Sequence, residues 1–133
     1  MTDEVRIPIR HDGDIVTARQ LGREMATRIG FAGSDLTVIA TAISEVVRNM
    51  VVYAGSGELH LAPAQYGAKQ GILIEASDQG PGIPDIDLAM MDGYSTGGSL
   101  GLGLPGAKRL MDEFALVSAV GQGTTVTMKK WKR

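Results

Sequence analysis

Short groups of polar and glycine residues along the chain have the types and spacing that nucleotide chemistry needs. Glu45 and Asn49 are one helical turn apart, which places a carboxylate and an amide on the same side of a helix. An amide oxygen can be a ligand for Mg²⁺, and a carboxylate beside it could orient or deprotonate an attacking hydroxyl. A solvated helix face with a weak pair between Glu45 and Arg48 explains the same residues without chemistry. Both interpretations stay open at this point.

A second acidic residue, Asp78, ends an apolar strand and shares a strand face with Ile74 and Ala76. A carboxylate on an apolar face is costly unless something donates a hydrogen bond to it. Asp78 therefore predicts a specific partner, such as the exocyclic amine of adenine. Gly80 and Gly82 follow at once and end the strand.

Glycines are concentrated again between residues 97 and 106, in the run GGSLGLGLPG. The backbone N–H groups of such a loop, and of a helix N-terminus that follows it, bind phosphate. GLGLPG does not follow a strand, so it is not a dinucleotide-binding fingerprint, and the P-loop motif is absent from the sequence. A flexible surface loop is the competing interpretation. The candidate phosphate-binding residues are Gly97, Gly98, Ser99, Leu100, Gly101, Leu102, Gly103 and Leu104.

Hydrophobic periodicity predicts the elements that position these residues. Alternating apolar residues predict strands at 5–9, 58–61, 72–78, 114–120 and 125–131, with turns at 66–71 and 121–123. Helices are predicted to begin with Asp14 and Ser34 as caps and again near Gly101, with a short helix at 85–91. This order predicts an α+β fold, a two-layer α/β sandwich in which helices cover one face of a mixed or largely antiparallel sheet.

Length and composition exclude several classes of function. A chain of 133 residues predicts one domain, residues 1–133, and the absence of cysteine removes disulfides, thiolate metal sites and cysteine nucleophiles. A net charge of −2 gives no strong field for nucleic acid or an anionic membrane. The sequence shows neither a signal peptide nor an apolar run long enough to span a membrane, so we expect a cytoplasmic protein.

The four motifs taken together resemble the GHKL superfamily of ATPases and kinases. The patterns are E-x-x-x-N, D-x-G-x-G-I, G-x-G-L-x-x-x-K and G-x-G-T, in that order along the chain. This resemblance implies a Bergerat-type ATP-binding fold with ATP and Mg²⁺ as cofactors. The matching residues are Glu45 and Asn49; Asp78, Gly80, Gly82 and Ile83; Gly101, Gly103, Leu104 and Lys108; and Gly121, Gly123 and Thr124.

The runs SEVVRN, VYAG, DQGPGIPDI, GYST and GLPGAKRLMDEF are similar to the bacterial anti-sigma-factor serine kinases, and most of all to the switch kinases of the stressosome. The resemblance implies that Glu45 is the base, that Asn49 holds Mg²⁺ and that Asp78 binds adenine. It also implies phosphorylation of STAS-domain stressosome proteins, and activation of a PP2C-type phosphatase by the released kinase. A nucleotide-gated binding module with little turnover is the alternative, and an ATPase is a third interpretation.

One departure from the pattern concerns the segment 86–99, which would form a lid over the nucleotide. It contains no lysine or arginine. A cation that faces the γ-phosphate must therefore come from elsewhere, and the candidates are Arg48, Lys108 and Arg109.

Overall fold

The computed structural model describes residues 4–82, 90 and 103–133. Within those ranges the chain forms five strands and three helices, in the predicted order. They are β1 (Val5–Ile9), α1 (Gly13–Ile29), α2 (Ser34–Ala54), β2 (Gly57–Tyr66), β3 (Lys69–Asp78), α3 (Gly103–Leu110), β4 (Glu113–Ala119) and β5 (Gly123–Trp131).

The strands form one sheet in the order β1-β2-β3-β5-β4. All four pairings between the described strands are antiparallel, so the sheet corresponds to the antiparallel form of the predicted fold rather than a mixed one. The order places the carboxyl end of β3 beside the start of β5, in the middle of the sheet. The predicted α+β sandwich is confirmed.

The hydrophobic core lies between the sheet and the helices. Alternate residues of β2 and β3 are fully buried on the face that meets α1 and α2, as their spacing predicts. The helix α2 supplies the largest buried stripe among the described helices, and Gly55, with a positive φ of 81°, follows its last residue. The core residues of these central elements are Ile39, Ile43, Val46, Met50, Leu59, Leu61, Ile72, Ile74 and Ala76.

The two predicted helix caps are wrong in detail. The residue before α1 is Asp12, and Asp14 lies in the first turn, where its Oδ2 accepts a hydrogen bond from the backbone N–H of Arg10 at 2.8 Å. Ser34 is the first residue of α2, which follows Gly33, and no side chain caps this helix. A polar residue near a helix start can reach back to the preceding chain as well as forward, and the sequence alone does not separate these geometries.

Strand ends and turns also differ from the prediction. The predicted turn at 66–71 is shorter, since β2 runs to Tyr66 and β3 begins at Lys69. The last strand begins at Gly123, two residues earlier than predicted. The helix predicted from about Gly101 is described from Gly103 onward, and Pro105 lies in its first turn as required. The helix predicted at 85–91 and the lid at 86–99 fall outside the described residues, apart from Met90.

By length and hydropathy alone, α2 would qualify as a membrane-spanning helix, contrary to the expectation that the sequence contains no such run. It is also the central helix of the fold, and 50% of the qualifying window is buried inside the protein. Its apolar character is therefore explained by the core that it fills.

Candidate functional site

A buried carboxylate on α2 is the centre of the candidate site. Glu45 is only 7% exposed, and both of its carboxylate oxygens are hydrogen-bonded. Oε1 accepts a hydrogen bond from Nη1 of Arg48 at 3.1 Å, and Oε2 accepts one from the backbone N–H of Gly103 at 2.8 Å. The predicted pair of Glu45 with Arg48 is confirmed, but the interpretation of this helix face as fully solvated is wrong for Glu45.

The hydrogen bond to Gly103 joins α2 to the predicted phosphate loop. Gly103 is the first residue of α3, and it has a positive φ of 68°. The start of the helix that should receive phosphate thus touches the candidate base directly. Leu104 packs into the core at 2% exposure, while Lys108 is exposed on α3. The candidates outside the described residues, whose roles stay predictions, are Ile83, Gly97, Gly98, Ser99, Leu100, Gly101 and Leu102.

Asn49 lies one turn beyond Glu45 on α2 and is half-buried. Its side-chain amide makes no hydrogen bond to another residue in 4–82, 90 or 103–133. In the same ranges, no group of three or more histidine, aspartate or glutamate side chains could hold a metal ion. A single amide oxygen suits Mg²⁺ that is bound mainly by substrate phosphates, because such ions keep few protein ligands. The residues present therefore fit a nucleotide-bound Mg²⁺ better than a metal held by a protein cage.

Asp78 is the last residue of β3 and is half-buried at the centre of the sheet. Its Oδ1 accepts a hydrogen bond from the backbone N–H of Gly80 at 2.9 Å, which answers part of the predicted need for a donor. No described residue donates a hydrogen bond to its Oδ2. Among the described residues, Oδ1 therefore has a donor and Oδ2 has none, so Oδ2 is the oxygen that could accept a hydrogen bond from an amine.

Thr124 lies directly across from Asp78 in the β3–β5 pairing and is 9% exposed. Its hydroxyl is 2.8 Å from the hydroxyl of Ser118, its partner in the β4–β5 pairing. Ser118 lies outside the four motifs. Its register opposite Thr124 across the hairpin turn is the signal that could have revealed it.

The glycines near Asp78 allow protein elements to approach one another closely. A Cβ on Gly80 would lie 2.5 Å from the Cβ of Ala54 at the end of α2, and one on Gly82 would lie 2.3 Å from the carbonyl oxygen of Ala119. Gly82 also has a φ of 79°, which L side chains rarely adopt. The predicted approach of these glycines to a ligand remains a prediction, since packing within the protein already requires them.

The structure thus gathers the described candidates in two groups. Glu45, Asn49 and Gly103 lie where α2 meets α3, and Asp78, with Gly80 and Thr124 beside it, lies at the end of β3. The contact of Gly80 with the end of α2 connects the two groups through one helix.

Comparisons with known proteins show which family the chain belongs to. Residues 34–133 match the family model described as histidine kinase-, DNA gyrase B-, and HSP90-like ATPase. The chain is 51% identical to the serine/threonine-protein kinase RsbT of Bacillus subtilis (strain 168), and the match covers 100% of both chains. It is 29% identical to an anti-sigma F factor of Caldanaerobacter subterraneus subsp. tengcongensis, over 86% of this chain and 82% of that protein.

One solved structure supports the fold, and only the fold. The structure of the RsbU and RsbW domains of a Mycobacterium tuberculosis protein superimposes with a TM-score of 0.65 at 23% sequence identity. The match covers 99% of this chain and 34% of that one. Together with the 51% identity to RsbT over the full length of both chains, these matches confirm the predicted fold, ATP as the nucleotide and the kinase activity. The chain belongs to the GHKL family of histidine kinase-, DNA gyrase B- and HSP90-like ATPases, and within it to the anti-sigma-factor-type serine/threonine-protein kinases that resemble RsbT and act in partner switching.

Proposed function

We propose that this kinase transfers phosphate from Mg²⁺-bound ATP to a serine of a STAS-domain stressosome protein. We further propose that the released kinase then binds and activates a PP2C-type phosphatase in the cytoplasm. The nucleotide and the serine/threonine kinase activity follow from the family, whereas the metal, the substrate and the phosphatase belong to the proposal.

The observation that carries the proposal is the placement of Glu45. Its carboxylate is buried, lies one turn from Asn49 and touches the first backbone N–H of α3. The proposed base, the proposed metal ligand and the proposed phosphate-binding helix start would therefore be adjacent, which is the set of parts that phosphoryl transfer needs.

The proposed chemistry assigns one task to each group. Glu45 accepts the proton of the substrate serine hydroxyl while the serine oxygen forms a bond to the γ-phosphorus. The bond between that phosphorus and the bridging oxygen breaks, and ADP leaves with the electron pair. Asn49 would hold Mg²⁺, which neutralises phosphate charge. Asp78 would accept a hydrogen bond from the adenine amine through Oδ2, while Gly80 holds Oδ1.

The partners rest on the resemblance to the stressosome switch kinases and on the full-length identity to RsbT. The anti-sigma F factors among the relatives, and the RsbU domain that accompanies an RsbW domain in the solved neighbour, support a role among switching partners. The net charge of −2 gives no reason to add nucleic acid or a membrane to these partners.

The test is a transfer assay with γ-labelled ATP, Mg²⁺ and a purified STAS-domain protein, followed by mapping of the labelled residue. Glu45→Gln should slow serine phosphorylation by about 10²–10⁴-fold, the factor that a positioned base supplies. Gln keeps an oxygen that can accept the hydrogen bond from Gly103, so the fold and ATP binding should survive. Glu24→Gln is the matched control, because Glu24 is exposed on α1.

Two results would contradict the proposal. Full activity of Glu45→Gln would show that Glu45 is not the base. An unlabelled STAS protein, with ATP and the phosphatase both bound normally, would favour the nucleotide-gated binding module over substrate phosphorylation.

A further inference from the structure

We infer that Arg48 is a positioning residue, which holds the carboxylate of Glu45 in the orientation that proton removal requires. This inference rests on the proposed function of Glu45 as the base. It concerns a residue that the motif pattern leaves undefined, since position 48 lies between the two motif residues of E-x-x-x-N.

Among the residues 4–82, 90 and 103–133, one donor reaches each oxygen of Glu45. Arg48 donates to Oε1 from the same helix, and the backbone N–H of Gly103 donates to Oε2 from α3. Two donors on opposite oxygens fix the rotation of the carboxylate plane, which a single donor would leave free. A carboxylate aimed in this way presents its remaining lone pairs in set directions.

Because Glu45 is buried, its ion pair with Arg48 should stabilise the carboxylate more than an ion pair between two exposed side chains would. The side chain of Glu45 is 8% exposed, whereas that of Arg48 is 38% exposed. A buried carboxylate that loses its charged partner is poorly compensated, while an arginine at the edge of the site can return to water. Loss of the ion pair would therefore cost the buried carboxylate of Glu45 more than it would cost the partly exposed guanidinium of Arg48.

The chemistry of arginine also suits this role. Its guanidinium is planar, permanently charged and rigid, so it restricts the direction of a carboxylate more than a lysine ammonium does. Arg48 was also a candidate cation for the γ-phosphate. Its Nη1 is bound to Glu45, and Lys108 is an exposed cation on α3 that is available for that second task. We therefore assign Arg48 to the base rather than to the phosphate.

The experiment is a double-substitution cycle that compares Arg48→Met and Arg48→Lys in the wild-type chain and in Glu45→Gln. Serine phosphorylation and basal ATP hydrolysis are both measured, and kcat and KM for ATP are separated. Arg6→Met is the matched control, because Arg6 also forms a single arginine–glutamate pair, with Glu58, but both partners are exposed on β1 and β2.

Arg48→Met should lower kcat by about 10- to 100-fold, the loss that a misplaced catalytic group produces, with KM for ATP unchanged. Arg48→Lys should recover part of this loss, and Arg6→Met should have no effect. In the Glu45→Gln background, Arg48→Met should cause no further loss, because its effect passes through Glu45.

Three outcomes would overturn the inference. Wild-type kcat in folded Arg48→Met would show that Glu45 needs no help, and an increased KM for ATP at normal kcat would make Arg48 a phosphate ligand. An equal loss in both backgrounds would give Arg48 an independent role. If Arg48→Met does not fold, Arg48→Lys carries the same cycle. The proposed function itself fails separately, through a fully active Glu45→Gln.

Discussion

The structure predicts that Asp78→Asn will change which purine nucleotide the kinase prefers. Asp78 Oδ1 accepts a hydrogen bond from the N–H of Gly80 at 2.9 Å. In the variant, the amide oxygen must take this position, because the amide nitrogen would face a donor with a donor. The NH₂ group then replaces Oδ2 and points toward the proposed adenine amine, which is also a donor.

The magnitude follows from the bond that is lost. A hydrogen bond to a charged group contributes about 1.5–3 kcal/mol, which corresponds to a roughly 10- to 100-fold loss of ATP affinity. A nucleotide with a carbonyl in place of the adenine amine, such as inosine triphosphate, should lose much less or gain affinity, since its oxygen accepts from the new NH₂ group. The ratio of the two affinities should therefore shift toward inosine triphosphate.

Titration calorimetry with ATP and inosine triphosphate measures this ratio directly. Glu75→Gln is the matched control, because it also replaces a carboxylate with an amide on the same strand. The side chain of Glu75 accepts a hydrogen bond from the hydroxyl of Thr127 at 3.3 Å. Unchanged ATP affinity in folded Asp78→Asn would refute adenine recognition by Asp78. An equal loss for both nucleotides would show general damage to the pocket instead of a reversed hydrogen bond.

Two further predictions concern the metal and the fold. Asn49→Ala should weaken the binding of Mg²⁺-ATP more than that of metal-free ATP in parallel titrations, whereas equal weakening would make Asn49 structural. Burial raises the pKa of Asp112. The hydrogen bond from the backbone N–H of Trp131 and the positive charges of Arg133 and Lys130 lower it by more, so the pKa of Asp112 lies below its ordinary value of 3.8. The ionised Asp112 therefore stabilises the fold at pH values above its ordinary pKa of 3.8. This contribution is lost as the pH falls through the lowered pKa of the folded protein. Asp112→Asn should reduce the unfolding temperature at neutral pH, and this difference should disappear in acid; a difference that persists in acid would contradict the linkage.

Local patterns were enough to predict most of the elements. The alternation of Ile72, Ile74 and Ala76 placed their side chains in the core and Asp78 at the end of the same face, which the structure confirms. These features depend on neighbours along the chain, and a periodic pattern records them directly. The same reasoning predicted the pair of Glu45 with Arg48, because both residues lie on one helix.

Contacts between distant segments could not be predicted in the same way. The hydrogen bond from Gly103 to Glu45 joins residues 58 positions apart, and nothing in either motif specifies it. The close approach of Gly80 to Ala54 likewise depends on how α2 packs on the end of β3. Tertiary packing sets both contacts, so the sequence indicated the candidate residues but not the burial of Glu45.

The placement of Glu45 on the core helix has a consequence for how the site is built. Its neighbours Val46 and Val47 are 2% and 0% exposed, so the backbone that carries Glu45 is fixed by apolar packing. The phosphate-loop side, in contrast, reaches Glu45 through the single hydrogen bond from Gly103 among the described contacts. A phosphate oxygen that uses the same N–H must share it with Glu45 or replace it there. Arg48, which donates to the other oxygen from the same helix as Glu45, would then still orient the carboxylate.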